Sequence, residues 1–470
     1  MVSTPRRVAL KLAFSSKPEA DIPGAPDEAL PGDLPALNIY HSSAVEGSLS
    51  EVLGAPNYSY RFAEAKFMAA FAAHGRTSIK LAMPEYYATE AALPPGMRSE
   101  GLPAAHLIFR STEQIRLLKF AWNICCFAWE FDVLKDDTGI NEHPFLNQKR
   151  MLSLCDEVWV PCSYTKAVLE RHGIANVHVI PAPIETPARG RSVFLTALAE
   201  IGNLSIAPLH HNFLNSKQEN AAYCAERSST LGMHLTQHMK DHDAIKIYLT
   251  ILNPEDSRKN LDAMLRAFDY FSKKVPSAVL LVKVLTSTTR FSLFEVLGDV
   301  VPHKLDSGSA FASKNIVFFN DFLSEAELHT LYGIADFYLC ASLCEGQNLP
   351  LLEAMSHGVV PVTTANTAMQ DYIGPDNALI IAGQSAPNSN PHLAGTIARK
   401  PFNIAMSRVE DIYEALLKSM DLTPARYGQL SSAARKVVQE KFSLDTVWSA
   451  MCARFSEIRR LVGTRDRRTG

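Results

Sequence analysis

From Lys246 to Thr363 the chain alternates short apolar, β-branched runs with longer amphipathic stretches, and few folds accommodate that alternation. Lys246–Leu252 (KIYLTIL), Ala278–Leu285 (AVLLVKVL), Ile316–Phe319, Asp336–Ala341 and Val359–Thr363 carry little polar character on either face. Strands buried on both sides by crossover helices look like this. Between them, Leu261, Met264, Leu265, Phe268 and Phe271 recur at helical spacing over Leu261–Lys273. Ser324 and Glu327 form a capping box ahead of a helix over Glu325–Ile334. Strand–helix repetition of this kind predicts a parallel, doubly wound sheet.

The first half repeats the theme less cleanly. A strand is expected over Leu37–Ser43, then a helix over Phe62–Ala73, a short strand over Ser78–Ala82 and a buried strand near Ile124–Trp129. Glu157–Pro161 reads as another strand, with Ser163 as N-cap of a helix over Tyr164–His172 that Gly173 terminates. Val177–Ile180 follows, and Pro181-Ala182-Pro183 marks an exit from the domain. The expected organisation is a flexible leader over 1–36, a Rossmann-like domain over 37–185 and an insertion or hinge over 186–243. A second Rossmann-like domain over 244–423 and a helical tail over 424–470, crossing back to the first, complete it.

Charge and cysteines narrow the function classes. A net charge of -3 provides no basic field to recruit nucleic acid, so anionic substrates must be met by local cations. Eight cysteines without CxxC or metal-ligand spacing suit buried thiols in a reducing cytoplasm. No run of about 18 apolar residues stands out as a membrane span, and no secretory signal is expected. His234 and His238 share an i, i+4 spacing but read as surface histidines.

The segment DFYLCASLCEGQNLPLLEAMSHGVVPVTT, Asp336–Thr364, carries the chemistry. A buried strand ends near Ser342, a loop with Gly346 follows, Pro350 suits the first helical turn and Gly358 closes the helix. In doubly wound folds, loops after the carboxyl ends of strands line the ligand crevice. Backbone N–H groups of Gln347 to Leu351 at such a helix start would favour an anion. Arg258-Lys259-Asn260 stands at a comparable place, after one strand and before a helix.

This segment resembles the donor-site signature of the retaining "group 1" glycosyltransferases of the GT-B fold, which include glycosyltransferase family four. Relatives carry E-G-F-G-L-P-x-x-E-A-M-x-x-G-x-P-V, and here it stands as E-G-Q-N-L-P-L-L-E-A-M-S-H-G-V-V-P-V. The resemblance covers about Lys246 to Tyr372-Ile373 and continues weakly over Asp156–Pro183. It implies two Rossmann-like domains facing a cleft, with Glu345 on the donor sugar and Glu353 on the ribose. Backbone N–H groups of Gln347, Asn348 and Leu349 would meet the sugar and distal phosphate. Gln347-Asn348 replace the usual Phe-Gly, which gives the sugar two further amide side chains to bond with. Lys259 matches the family's diphosphate lysine, Asn260 replaces its glycine and Pro254 replaces its arginine, so Arg258 is expected to supply the second cation. Glu130 is a candidate acceptor-positioning group or general base, with a peripheral carboxylate as the equal alternative. The loop at Gly54 corresponds to the relatives' phosphate-approaching loop.

The resemblance further implies transfer from a nucleotide-diphosphate sugar to a glycan, lipid-linked or other hydroxyl acceptor, in polysaccharide or glycoconjugate synthesis. No metal or other cofactor is expected, since Asp241-His242-Asp243 precedes a strand instead of ending one. A cytoplasmic enzyme, with room for peripheral attachment at the inner membrane face, is expected. A sugar-nucleotide-processing enzyme without a glycan acceptor, and a silent GT-B subunit that binds glycans or a partner, are the alternatives. Hinge closure on the donor, about Pro181–Pro183 and the tail after Pro424, is expected to compact the protein.

Overall fold

The computed structural model describes residues 35–43, 58–99, 101–135, 143–187, 194–209, 229–285, 313–388 and 402–469. Most of the expected leader and the Gly54 loop lie outside the described residues.

The first domain is a sheet of six parallel strands: β1 (Asn38–Ser43), β2 (Ile79–Lys80), β3 (Ala104–Phe109), β4 (Trp122–Cys126), β5 (Glu157–Val160) and β6 (Val177–Val179). Their spatial order is β2-β1-β3-β4-β5-β6. Helices α1 (Tyr58–Ala73) and α2 (Ser163–Arg171) belong to this half. The N-cap of α2 is Cys162 instead of Ser163, its sulfur accepting from the Thr165 N–H. Ser163 is the first helical residue, and its N–H and hydroxyl are turned to Asp371 of the other domain.

Helix α3 (Phe194–Ile201), strands β7 (Ser205–Leu209) and β8 (Ser229–Thr230) and helix α4 (Leu231–Asp241) follow. The second sheet then builds from β9 (Lys246–Leu252), β10 (Ala278–Val284), β11 (Ser313–Phe319), β12 (Phe337–Cys340), β13 (Val360–Thr363) and β14 (Leu379–Ile380). Its order is β14-β13-β12-β9-β10-β11-β7-β8, parallel from β14 to β11 and antiparallel at β7 and β8. Residues 205–209 and 229–230 therefore extend the second sheet by an antiparallel edge. His238 is buried, with its Nε2 2.9 Å from the Pro276 carbonyl oxygen. It is thus a core-facing residue and not a surface one.

Helices α5 (Leu261–Lys274), α6 (Glu325–Ile334) and α7 (Leu349–Ser356) cover this sheet, followed by α8 (Val409–Met420), α9 (Pro424–Phe442) and α10 (Leu444–Thr469). The capping box of α6 is present as its sequence implies. Helix α10 returns to the first domain, where Trp448, Met451 and Phe455 share a core with Phe67, Phe71 and Trp159. The chain thus passes between domains twice, and the passages touch: Ile184 donates its N–H to the Phe442 carbonyl at 2.7 Å and bridges to Ser443. The seven described cysteines are free, and no described helix is long and apolar enough to cross a membrane.

Strands β1, β3 and β4 carry a buried polar network of Ser42, His106 and Asn123. His106 bonds Ser42 at 2.9 Å and Asn123 at 3.2 Å, and burial pushes its pKa down to about 3. It folds neutral, whereas the unfolded chain takes up a proton below pH 6.5. Its contribution to stability is therefore full above pH 6.5 and is lost as pH falls toward 3, at about 1.4 kcal/mol per pH unit. Denaturant titrations from pH 7 to 4 should show falling stability, with a shallower slope in His106→Gln; equal slopes would assign the acid sensitivity to other groups.

Candidate functional site

Strand order places the site. In the second sheet the chain runs outward one way from β9 through β10 and the other way from β12 through β13, so the direction reverses between β9 and β12. Loops leaving the carboxyl ends of strands at such a reversal part from one another and open a crevice. The loop after β9 carries Asp256, Arg258 and Lys259, and the loop after β12 carries Glu345. Lys259 Nζ lies 2.6 Å from Glu345 Oε1. The two residues that the sequence nominates from separate motifs are therefore one ion pair.

Both loops end in a residue with left-handed backbone: Asn260 (φ 52°) before α5 and Asn348 (φ 63°) before α7. The pattern that these segments resemble has glycine at each position. Asparagine is among the few residues with a side chain that tolerate this conformation, so both replacements preserve the loop shape. Asn348 also caps α7 by accepting from the Leu351 N–H, while its Nδ2 lies 3.3 Å from the Cys340 sulfur. Gln347 uses its amide on Ala182. Both amide side chains thus have partners within the protein, and the Leu351 N–H bonds the Asn348 side chain.

Arg258 stands between two carboxylates. Nε and Nη2 grip Asp256 at 2.9 and 2.6 Å, and Nη1 donates to Glu130 of the first domain. Burial raises the Asp256 carboxyl, but Arg258 and Lys259 outweigh it and bring its pKa to about 2. Burial also raises the Glu130 carboxyl, with Arg258 opposing. For Lys259, burial favours the neutral amine, yet Glu345 and Asp256 prevail and its pKa is raised. The cations thus stay charged while partly desolvated. Gly346 lets the domains meet here: a Cβ on it would come within 3.3 Å of Ala128 Cβ and 3.6 Å of Glu130 Oε2.

Glu353, one turn into α7, is 7% exposed. It accepts from Tyr332 Oη at 3.0 Å and pairs with Lys66 Nζ of α1 at 2.8 Å. The sequence gives no sign of Lys66, which sits far earlier in the chain on a helix of the other domain; Tyr332 and Asp256 were equally unmarked. Thr367, in left-handed backbone, accepts the Glu345 N–H at 2.8 Å and returns its hydroxyl to the Glu345 carbonyl at 3.0 Å. Between Thr250, Lys259, Tyr338, Glu345 and Asn348 lies a cavity of about 10 Å³. This cavity, lined by second-domain residues, is far below the ~300–1,000 Å³ of a ligand pocket. Among the described residues, Glu185, Glu325 and His329 are the grouping whose ligand atoms could surround a metal ion, all within 4.8 Å of one another.

With this geometry in view, the comparisons are specific. Residues 252–396 match the family of glycosyl transferases group 1. No curated protein matches the chain by sequence. A sucrose-phosphate synthase from Thermosynechococcus elongatus superposes with TM-score 0.54 and 14% identity over 91% of this chain and 99% of that one. A glycosyltransferase from Rickettsia africae gives 0.50 and 13% over 90% and 98%. S. aureus TarM, solved with UDP, gives 0.46 and 11% over 75% of this chain. The chain spans 55% of that TarM and 57% of the pneumococcal transferase GtfA, little more than half the length of either. The shared fold is GT-B, two Rossmann-like domains facing each other.

The Lys66–Glu353 pair predicts a thermodynamic cycle. Removing one member of a buried pair strands the other charge, which costs roughly 3–5 kcal/mol. Glu353→Leu and Lys66→Met should each destabilise, and the double variant should be less destabilised than the sum of the two. Strict additivity in urea unfolding would mean that the domains do not meet at this pair.

Proposed function

With residues 252–396 matching the group 1 glycosyl transferases and the fold being GT-B, we propose that the protein is a retaining glycosyltransferase. It moves a sugar from a nucleotide-diphosphate donor to a hydroxyl acceptor, in synthesis of a polysaccharide or glycoconjugate. The observation that carries this reading is the Lys259–Glu345 pair at 2.6 Å, at the point where strand order reverses.

Glu345 accepts hydroxyls of the donor sugar, and Lys259 with Arg258 faces the diphosphate. As the bond from the anomeric carbon to the phosphate oxygen breaks, negative charge grows on the leaving diphosphate. Two partly desolvated cations and the N–H groups of Gln347, Asn348 and Leu349 meet that charge without reorganising, which is where such sites gain most. The acceptor oxygen bonds the same carbon from the same face, and its proton passes to the departing phosphate. Glu130, tied to Arg258, positions the acceptor from the first domain. Glu353 exchanges Lys66 for the ribose hydroxyls, so that donor entry and release of Lys66 are one event. The named activity of the Thermosynechococcus relative, sucrose-phosphate synthesis, is of this transfer class. Placement in the cytoplasm, or peripherally at its membrane face, belongs to the same proposal.

Glu353→Gln should weaken binding of a sugar nucleotide chosen from a UDP-, GDP- and ADP-sugar panel, while Lys66→Met should tighten it; calorimetry decides, and unchanged affinities in both would remove Glu353 from the ribose site. Lys259→Ala should lower turnover by ~10²–10³ and, by stranding buried Glu345, also lower the melting temperature; wild-type turnover would exclude Lys259 as the diphosphate cation. Because protein groups supply the positive charge, turnover should persist in EDTA; loss on chelation with recovery in Mg²⁺ or Mn²⁺ would contradict that assignment.

A further inference from the structure

Gln347 occupies the donor loop where relatives carry phenylalanine, and its side chain reaches away from the loop into the interdomain linker. Its Oε1 accepts the Ala182 N–H at 3.0 Å, and its Nε2 donates to the Ala182 carbonyl at 2.8 Å. Both residues are buried. Ala182 stands between Pro181 and Pro183, and proline carries no N–H, so the tripeptide has a single backbone donor. A primary amide places a donor and an acceptor side by side and satisfies both groups of one residue, as a neighbouring strand would. Phenylalanine can make neither bond.

The contacts continue in both directions. The Gln347 carbonyl accepts the Tyr372 hydroxyl at 2.7 Å, which fixes its backbone. Two residues earlier, Glu345 holds Lys259. Two residues beyond Ala182, Ile184 bonds Phe442 at the second passage between the domains. Donor loop, linker and tail are joined through one side chain.

We propose that Gln347 is a positioning residue which couples the donor loop to the interdomain hinge, so that occupancy of the donor site and the angle between the domains form one equilibrium. The coupling rests on the donor-site reading above; the tie to Ala182 stands without it.

Two variants test it. Gln347→Leu keeps the volume and removes both bonds, and Gln347→Glu keeps the acceptor for Ala182 N–H but loses the donor. Circular dichroism and melting first establish that each is folded. Hydrogen exchange is then followed at Ala182, whose only amide neighbour between residues 181 and 184 is Ile184. Ala182 should exchange at least about tenfold faster in Gln347→Leu, with an intermediate rate in Gln347→Glu. Small-angle scattering with and without the binding member of the UDP-, GDP- and ADP-sugar panel gives the coupling. The radius of gyration should change on saturation in the wild type and stay fixed in Gln347→Leu, whose kcat should fall about tenfold at nearly unchanged KM. Wild-type Ala182 exchange in Gln347→Leu overturns the tie. A wild-type scattering response in that variant overturns the coupling. Failure of the wild type to bind any of the panel overturns the donor reading and the coupling with it, and is distinguished from failure of the tie by the exchange rates.

Discussion

Charge held out of water between two sheet edges is the constraint on which the rest of this structure depends. Both sheets direct the carboxyl ends of their parallel strands toward the other domain, and the loops there carry Glu130, Asp256, Arg258, Lys259 and Glu345. Isolated charges would not survive burial of this degree, whereas alternating cations and carboxylates do. Arg258 joins Asp256 of its own loop to Glu130 of the other domain, and Lys66 reaches from α1 to Glu353. The arrangement is more informative about function than about stability. Replacing such pairs with apolar side chains is often neutral or stabilising, so the groups that form them point to a task that needs charge.

Under the proposed function, the same groups would meet an anionic ligand by exchanging partners. Every carboxylate paired with a cation here is one that a polyol could satisfy through hydroxyls. Every cation is one that a diphosphate could claim. Such an exchange of internal partners for ligand groups would keep the buried charge compensated throughout, which a site of unpaired cations could not do. The two passages between the domains, at Ile184 and Phe442, lie against each other.

Much of the second domain was legible because its burial is two-sided. Runs such as KIYLTIL and FYLC have one reading as strands, and the capping box at Ser324 fixes the start of α6. The segment Asp336–Thr364 was legible because Pro350 and Gly358 bound a helix, which sets Glu345 on a loop and Glu353 on a helix turn. The two asparagines that break the glycine pattern become intelligible only through their φ values. What sequence could not supply was partnership across domains. Nothing local to Lys66 marks it as the partner of Glu353, and nothing beside Gln347 shows that its amide bonds a linker 165 residues away. Within 186–243 the described residues hold two helices and a short antiparallel edge joined at β11.

The central claim, that these paired groups perform glycosyl transfer with retention, is tested most directly at the anomeric carbon. The measurement is proton NMR of the product formed from an α-linked sugar nucleotide and a hydroxyl acceptor, read at its first time points, before any mutarotation. The account predicts release of the nucleoside diphosphate with an α-configured product, its anomeric coupling matching that of the donor. A β-configured product, or acceptor-independent consumption of the donor, would contradict it.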